Sequence, residues 1–316
     1  MSQDHRYAPR RLSRQEFVPV RGLRYHVRIW DPDPAAPSAA AAPATDVPTV
    51  FMLHGWMDVS ASFQFLVDHL PAHWRIVAPD WRGFGLTDWP ARQAPGTCYW
   101  LPDYVGDLDA LLDHYSAGQP VLLVGHSMGG NVATQYSGAR PHRVRKLVNL
   151  EGVGLPRTAD EQAPNRLAQW LDELKTPPRL ADYPDVDAVA ARLMKNNPRL
   201  RADYAAFLAP HWCRAVPQPG GGQRYELLGD PAHKLVNPIL YRVDEVLACW
   251  RAITAPVLFV LSEHLNEWHH FVKTDEYRQR LTAYRDLTRA TLAGAGHMMH
   301  HDQPEALAKL IEGFLT

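Results

Sequence analysis

A short glycine-rich turn between an apolar run and a helical pattern constrains this chain more than any other feature. Residues 121–124 are Val-Leu-Leu-Val, and Gly125, His126, Ser127, Met128 and Gly129 follow them. The apolar run predicts a buried strand, and residues 129–139 predict a helix. Side chains at the two glycine positions would clash in so tight a turn, so the pattern G-x-S-x-G predicts that Ser127 is presented as a nucleophile at the end of the strand.

Apolar runs and helical patterns alternate on both sides of this turn. We expect strands at residues 49–53, 75–79, 121–124, 146–150, 256–261 and 290–293, and helices at residues 60–70, 102–115, 129–139, 243–253, 274–282 and 305–314. Continuous apolar strands separated by helices are typical of a mostly parallel sheet with both faces covered, which is an α/β fold. Residues 17–20 and 23–31 predict a hairpin before the first of these strands.

The alternation stops between residues 152 and 237. Helical patterns are present near residues 163–174, 186–196 and 200–208, but no run typical of a strand is visible there. We therefore expect one α/β core, residues 1–152 and 240–316, with a helical cap inserted at residues 153–239. Residues 31–48 are rich in Ala and Pro and predict a flexible loop.

Composition excludes several classes of protein. The 316 residues are 46% hydrophobic, and 33 Lys and Arg against 34 Asp and Glu leave a net charge of −1. That balance gives no basic surface for a nucleic acid or an acidic membrane. Three cysteines without a pairing pattern, and the lack of an apolar signal segment or transmembrane run, lead us to expect a soluble, cytoplasmic protein. Nothing in the sequence indicates the oligomeric state.

Four motifs in a fixed order resemble those of the α/β-hydrolase superfamily. They are HGWMDVSASF at residues 54–63, DWRGFGLTD at 80–88, GHSMGG at 125–130 and GAGHMMHHDQPE at 294–305. The resemblance covers nearly the whole chain, and the cap stretch ARLMKNNPRL at 191–200 is similar to the serine-hydrolase-like branch. The layout also resembles that of the haloalkane dehalogenases. The resemblance to the superfamily implies an α/β-hydrolase fold, with a mostly parallel central sheet, flanking helices and an inserted helical cap.

The resemblance also implies roles for individual residues. Ser127 would be the nucleophile and His297 the general base, and the backbone amides of Trp56 and Met128 would form the oxyanion hole. No cofactor is implied. His300 is a candidate to line the site, whereas we expect His301 to be exposed to solvent.

We expect no metal site at the histidine pairs. No carboxylate or cysteine lies at ligand spacing on one helical face with residues 269–270 or 300–301. Asp80 and Arg82 are expected to hold their loop by hydrogen bonds and to take no part in catalysis.

The sequence differs from the common family pattern at the position of the acid that would orient His297. The family usually has an Asp in the loop after the seventh strand, but residues 256–266 are PVLFVLSEHLN, with Leu265 at the expected place. Glu151, at the end of a predicted strand, and Glu263, early in that loop, are the two candidates. A carboxylate at the end of a buried strand is costly unless it is paired, and an imidazolium is a natural partner. We therefore expect Glu151 and retain Glu263 as the alternative.

These residues predict a serine hydrolase that cleaves a carboxylic ester or related acyl compound through an acyl-enzyme intermediate. A small, apolar or aromatic acyl compound is the expected substrate. The same triad also serves amide, thioester, lactone and C–C hydrolysis and cofactor-free perhydrolysis, and a non-catalytic ligand binder on this scaffold stays open. A dehalogenase or an epoxide hydrolase is disfavoured, because those reactions use an Asp where this chain has Ser127.

Overall fold

The computed structural model describes residues 7–35, 48–90, 99–265 and 267–316. Most of the predicted Ala/Pro loop, residues 36–47, lies outside the described residues, as does Asn266. Eleven strands are named in chain order. They are β1 (Arg14–Val20), β2 (Leu23–Trp30), β3 (Thr49–Leu53), β4 (Arg75–Pro79), β5 (Val121–His126), β6 (Val144–Leu150), β7 (Asp182–Tyr183), β8 (Cys213–Pro217), β9 (Gln223–Leu227), β10 (Val257–Ser262) and β11 (Leu287–Leu292).

Eight of these strands form one sheet in the order β1-β2-β4-β3-β5-β6-β10-β11. The strands from β4 to β11 in that order pair in parallel, while β1 and β2 join one edge as an antiparallel hairpin. The carboxyl ends of β3, β5, β6, β10 and β11 therefore meet at one edge of the sheet, which is where parallel sheets place their functional loops.

The structure contains ten named helices among the described residues, seven of which cover the two faces of this sheet. They are α1 (Gln64–Val67), α2 (Leu101–Ser116), α3 (Met128–Ala139), α4 (Ala163–Lys175), α5 (Val186–Asn196), α6 (Ala202–Trp212), α7 (Val243–Ala252), α8 (Asp275–Leu281), α9 (Met299–Asp302) and α10 (Pro304–Leu315). Helices α2, α3, α7 and α8 pack against one face of the sheet, and α1, α9 and α10 pack against the other. The predicted α/β architecture is confirmed.

The helix predicted at residues 60–70 is much shorter in the structure. A 3-10 turn at Ser60–Phe63 leads into the four-residue helix α1, and the chain then turns at residues 68–70. The side chain of Asp68 instead accepts hydrogen bonds from the backbone amides of Arg10 and Arg11, both at 3.0 Å. Arg10 and Arg11, near the beginning of the chain, are thus held against the turn at residues 68–70.

The cap contains strands that the sequence did not reveal. Helices α4, α5 and α6 lie where helical patterns predicted them, but β7, β9 and β8 form a small antiparallel sheet. The expectation of a purely helical cap is therefore wrong. Strands β8 and β9 are joined through Gly220, Gly221 and Gly222, whose φ angles of 97°, 99° and 83° only glycine adopts readily. These strands are largely exposed, so they lack the apolar runs by which the core strands were recognised.

Candidate active site

Ser127 lies in the sharp turn between β5 and α3. Its backbone has φ 52° and ψ −115°, a conformation that a non-glycine residue holds only where its surroundings enforce it. A Cβ at Gly125 would lie 2.5 Å from the carbonyl oxygen of Gly129, and one at Gly129 would lie 2.1 Å from that of Leu53. Glycine is therefore required on both sides of Ser127. Helix α3 begins at the next residue, so the positive end of its dipole lies beside the serine.

Glu151 follows the last residue of β6 and pairs with His297. Its Oε2 lies 2.6 Å from Nδ1 of His297, and its Oε1 accepts a 2.6 Å hydrogen bond from the backbone amide of Ser262 and another from the Ser262 hydroxyl. The residue is 1% exposed. Burial acts to raise the pKa of Glu151, but the hydrogen bond and charge of His297 and the bonds from Ser262 hold that pKa below its usual value.

Glu263 points away from this pair. Its side chain is 54% exposed, and its Oε2 accepts a hydrogen bond from the backbone amide of Gly294 at 2.8 Å. The Glu263 carboxylate therefore stabilises the first residue of the loop Gly294–His297. Of the two carboxylates that the sequence left open, Glu151 is the one that contacts His297.

The loop that contains His297 is hydrogen-bonded to β5, the strand that leads into Ser127. Nε2 of His126 is 2.8 Å from the carbonyl oxygen of His297, and the two imidazole rings are 4.7 Å apart between centroids. His126 is fully buried, and burial lowers its pKa well below the usual value, so the ring is neutral. As a neutral ring it donates its one N–H to that carbonyl.

Trp56 and Met128 both line the cavity that contains Ser127. Trp56 follows β3 and has a half-exposed side chain, and Met128 is the first residue of α3. Gly55, between His54 and Trp56, packs closely against the turn, since a Cβ there would lie 3.2 Å from Cβ of Ser127. The backbone after β3 thus runs beside the serine.

Asp80, at the end of β4, holds the neighbouring loop. Its Oδ1 accepts from the amide of Ser60 at 2.7 Å, and its Oδ2 accepts from the amide of Leu86 at 2.9 Å and lies 2.7 Å from Nδ1 of His26. Burial acts to raise the pKa of Asp80, but His26 and these donors hold that pKa well below its usual value. The structural role expected from the sequence is confirmed by these bonds.

A cavity of about 460 Å³ contains Ser127 and Glu151. Its walls come mainly from α2, α3, α7 and the cap segment before α7. Apart from Asn131, Gln135 and Asn237, they include Tyr99, Leu101, Tyr104, Val153, Leu155, His233, Leu235, Tyr241, Val246 and Trp250. The ring of His233 stacks on Tyr99 and Phe84, with centroids 3.5 and 3.7 Å apart. Burial lowers the pKa of His233 to about 3, so this wall is uncharged at neutral pH.

A second cavity of about 940 Å³ adjoins the first. Leu101, Leu155, Tyr241 and Val246 line both of them, so the two cavities lie side by side with a shared wall.

Comparison with known proteins agrees with this architecture. The family model for the alpha/beta hydrolase fold matches residues 48–304. The chain belongs to the α/β-hydrolase fold family. Among curated relatives of this family, the serine hydrolase-like protein of Danio rerio is 28% identical, over 97% of this chain and 89% of that one. The 2-(acetamidomethylene)succinate hydrolase of Mesorhizobium japonicum is 29% identical, over 85% of this chain and 88% of its own.

A solved structure resembles this hydrolase over most of its length. The thioesterase domain from the curacin biosynthetic pathway superposes with a TM-score of 0.77 at 26% identity, covering 96% of this chain and all of that one. The resemblance to the serine-hydrolase-like branch, inferred from motifs, is confirmed by these comparisons. None of the described helices is long and apolar enough to cross a membrane.

The histidines near the end of the chain differ from expectation. His301 is only 4% exposed, so the prediction of a solvated residue is wrong, and His300 is completely buried. His301 packs edge-on against Phe65, with centroids 5.7 Å apart, because helix α9 presses against α1. Among the described residues, His300 lies with Asp58 and His126 in a group whose ligand atoms are all within 4.8 Å of one another.

Ser262 is the site residue that sequence reasoning missed. It holds Oε1 of Glu151 with two hydrogen bonds and leaves Oε2 for His297. A signal was present, because Ser262 directly follows the apolar strand predicted at residues 256–261 and directly precedes Glu263. A buried polar residue at the end of a strand needs a hydrogen-bond partner. Here the partner is Glu151, the residue after the neighbouring strand β6.

Proposed function

We propose that this protein is a serine hydrolase that cleaves carboxylic esters through an acyl-enzyme intermediate. The observation that carries the proposal is the 2.6 Å bond between the buried Glu151 and Nδ1 of His297, in the loop fastened to the strand that ends at Ser127. A carboxylate on Nδ1 keeps the proton on that nitrogen, so that Nε2 carries the lone pair that accepts the proton of the serine. That is the tautomer a general base needs.

In the proposed reaction, Ser127 Oγ attacks the carbonyl carbon of the ester while His297 takes its proton. The C–O bond of the tetrahedral intermediate then breaks, and His297 protonates the departing alcohol. Water, deprotonated by His297, attacks the acyl-enzyme and releases the acid with Ser127 restored. Glu151 stabilises the imidazolium that forms in each half of the reaction.

The backbone amides of Trp56 and Met128 are proposed to bind the oxyanion. Support comes from their positions after β3 and at the first residue of α3, on two sides of Ser127. Backbone donors of this kind contribute on the order of 3–4 kcal/mol each to the transition state. The helix dipole of α3 acts in the same direction.

We propose an apolar or aromatic acyl group for the substrate. The cavity walls are mostly aromatic and aliphatic, and the neutral His233 adds no charge to them. The adjoining cavity offers room for a longer chain. The curacin-pathway thioesterase domain, whose name denotes an acyl substrate, is consistent with an acyl compound.

A serine-directed fluorophosphonate probe tests the proposal. We expect stoichiometric labelling of the wild-type protein and none of Ser127→Ala, with hydrolysis of p-nitrophenyl esters lost in the same variant. A panel of these esters with rising acyl length, run beside amide and lactone substrates, then defines the bond that is cleaved. A folded wild-type protein that is not labelled would overturn the enzyme assignment and favour a ligand binder.

We also propose a reducing compartment, the cytoplasm, for this hydrolase. Cys213 and Cys249 carry free thiols, and burial raises the pKa of both, so neither is a reactive thiolate. Fractionation of the source cells with an antibody to the protein tests this placement.

A further inference from the structure

Behind the serine turn lies a buried polar group that the proposed reaction does not use. Asp58 follows β3, His126 ends β5 and His300 lies in α9, so three distant parts of the chain meet here. Asp58 is 2% exposed, His126 1% and His300 0%. Buried polar atoms in folded proteins nearly always have partners, so unpartnered atoms in such a group need an explanation.

The unpartnered atoms all have the character of metal ligands. Oδ2 of Asp58, Nδ1 of His126 and both ring nitrogens of His300 have no hydrogen-bond partner among the described residues. The Nε2–H of His126 donates a hydrogen bond to the carbonyl oxygen of His297. Nδ1 of the neutral ring is therefore unprotonated and has a lone pair available for a metal ion. Oδ1 of Asp58 is already held by the amide of Val59 at 2.8 Å and by the hydroxyl of Ser62, which leaves Oδ2 free.

We propose that Asp58, His126 and His300 bind one divalent transition-metal ion of the zinc type. Two imidazole nitrogens and one carboxylate oxygen form a ligand set that such ions favour, with a fourth position left for water. The hydrogen bonds that His126 and Asp58 make on the side away from the proposed ion are also typical of metal ligands. A metal-bound histidine usually donates its other N–H to a backbone carbonyl, and a metal-bound carboxylate is itself hydrogen-bonded.

The distances within the group fit an ion better than direct hydrogen bonds. Nε2 of His300 is 3.6 Å from Oδ2 of Asp58, which is too far for a hydrogen bond. Bonds of about 2.0–2.1 Å in a tetrahedral site hold ligand atoms roughly 3.4 Å apart. The ligand atoms all lie within 4.8 Å, so movements of less than about 1 Å complete the coordination.

The ion would act on the catalytic loop through one side chain. It would bind Nδ1 of His126, whose Nε2 holds the carbonyl oxygen of His297. Coordination would fix the ring and its tautomer, and with them the position of the His297 loop. The site lies behind the turn and not in the substrate cavity, so the ion would take no part in bond cleavage. The proposal therefore stands independently of the proposed function.

Zinc retention by the whole protein tests this inference. Wild-type protein is stripped with a chelator, dialysed against Zn²⁺, freed of excess metal and analysed by mass spectrometry of the metal. We expect about one zinc per chain, and a melting temperature several degrees above that of the stripped protein, because a ligand bound only to the folded state stabilises it. Co²⁺ in place of Zn²⁺ is expected to give the visible absorption bands of a tetrahedral site.

Two variants and a matched control locate the metal. His300→Phe keeps an aromatic ring beside Phe63, and Asp58→Asn keeps the acceptor for Val59 and Ser62; both are expected to lose the zinc and the melting shift. His301→Phe changes an equally buried neighbour outside the group and is expected to keep both.

The proposal is overturned if the wild-type protein retains no zinc and gives no Co²⁺ bands, a result that depends on no variant. It is also overturned if His300→Phe and Asp58→Asn retain as much metal as wild type. Fluorophosphonate labelling of Ser127 in the stripped protein reports on the hydrolase proposal separately, so failure of one leaves the other intact.

Discussion

Replacing Glu151 by Gln is the sharpest test of the acid in this site. Ser262 donates two hydrogen bonds to Oε1 of Glu151, so the carbonyl oxygen of the new amide is expected to occupy that position. The amide nitrogen then takes the place of Oε2, 2.6 Å from Nδ1 of His297. The amide nitrogen can only donate a hydrogen bond, so Nδ1 of His297 must accept it. The imidazole proton of His297 then lies on Nε2. In that tautomer His297 no longer accepts a proton from Ser127.

The size of the effect follows from this tautomer change. Substituting the amide for the acid in a serine triad lowers kcat by about 10⁴-fold. We expect kcat/KM to fall by about 10³- to 10⁴-fold, which corresponds to roughly 4–5.5 kcal/mol of transition-state stabilisation at 1.36 kcal/mol per factor of ten. The cavity walls are untouched, so KM is expected to change little.

The assay measures hydrolysis of p-nitrophenyl butyrate by wild type, Glu151→Gln and Glu263→Gln, with thermal unfolding of each as the check on folding. Glu263→Gln is the matched control, because the same change is made on an exposed carboxylate that accepts a hydrogen bond from the amide of Gly294 and lies 3.8 Å from Nε2 of His264, outside the pair of Glu151 and His297. It is expected to stay within about threefold of wild type. A second variant, Glu151→Asp, keeps the charge but shortens the reach, and an intermediate loss of about 10²-fold is expected.

Two outcomes would refute the reasoning. One is a folded Glu151→Gln protein within tenfold of wild type, because the orientation of His297 would then not depend on this carboxylate. The other is a greater loss in Glu263→Gln than in Glu151→Gln, which would move the acid to the loop after β10.

Three further predictions concern the loops and the cavity. Gly55→Ala puts a Cβ 2.9 Å from Nδ1 of His126 and 3.2 Å from Cβ of Ser127, so the turn must shift; kcat/KM for p-nitrophenyl acetate should fall by about 10- to 100-fold without loss of folding. Val246 lies in the wall shared by the two cavities, so Val246→Phe reduces the space there; kcat/KM should fall at least about tenfold for octanoate esters and by less than about threefold for acetate. Asp80→Asn should lower the free energy of unfolding in urea at pH 7 by about 2–4 kcal/mol. Because folding lowers the pKa of Asp80, its charge stabilises the fold above the unfolded-state pKa of about 3.9, and the difference from wild type should shrink as the pH falls below that value.

Local rules explain why the core was predictable. The strand β5, the turn at Ser127 and the helix α3 follow one another within about twenty consecutive residues. Gly125 is required by contacts inside this segment, whereas Gly129 is required by the carbonyl oxygen of Leu53 at the end of β3. The apolar runs of the other core strands have the same local origin, since a strand covered on both faces must be apolar throughout. The cap hairpin lacks that signal because its strands are mostly exposed.

Contacts between distant residues decided the rest. The sequence by itself determined the α/β core, the turn with Ser127 and the histidine after the last strand. It favoured Glu151 as the acid but did not exclude Glu263. That choice depends on the register of β6 against β10, which pairs Leu150 with Val260 and so brings Glu151 to Ser262 while the next residue turns outward. The buried group of Asp58, His126 and His300 likewise exists only in the folded chain, because side chains from three strand and helix ends must converge before their lone pairs can face one another.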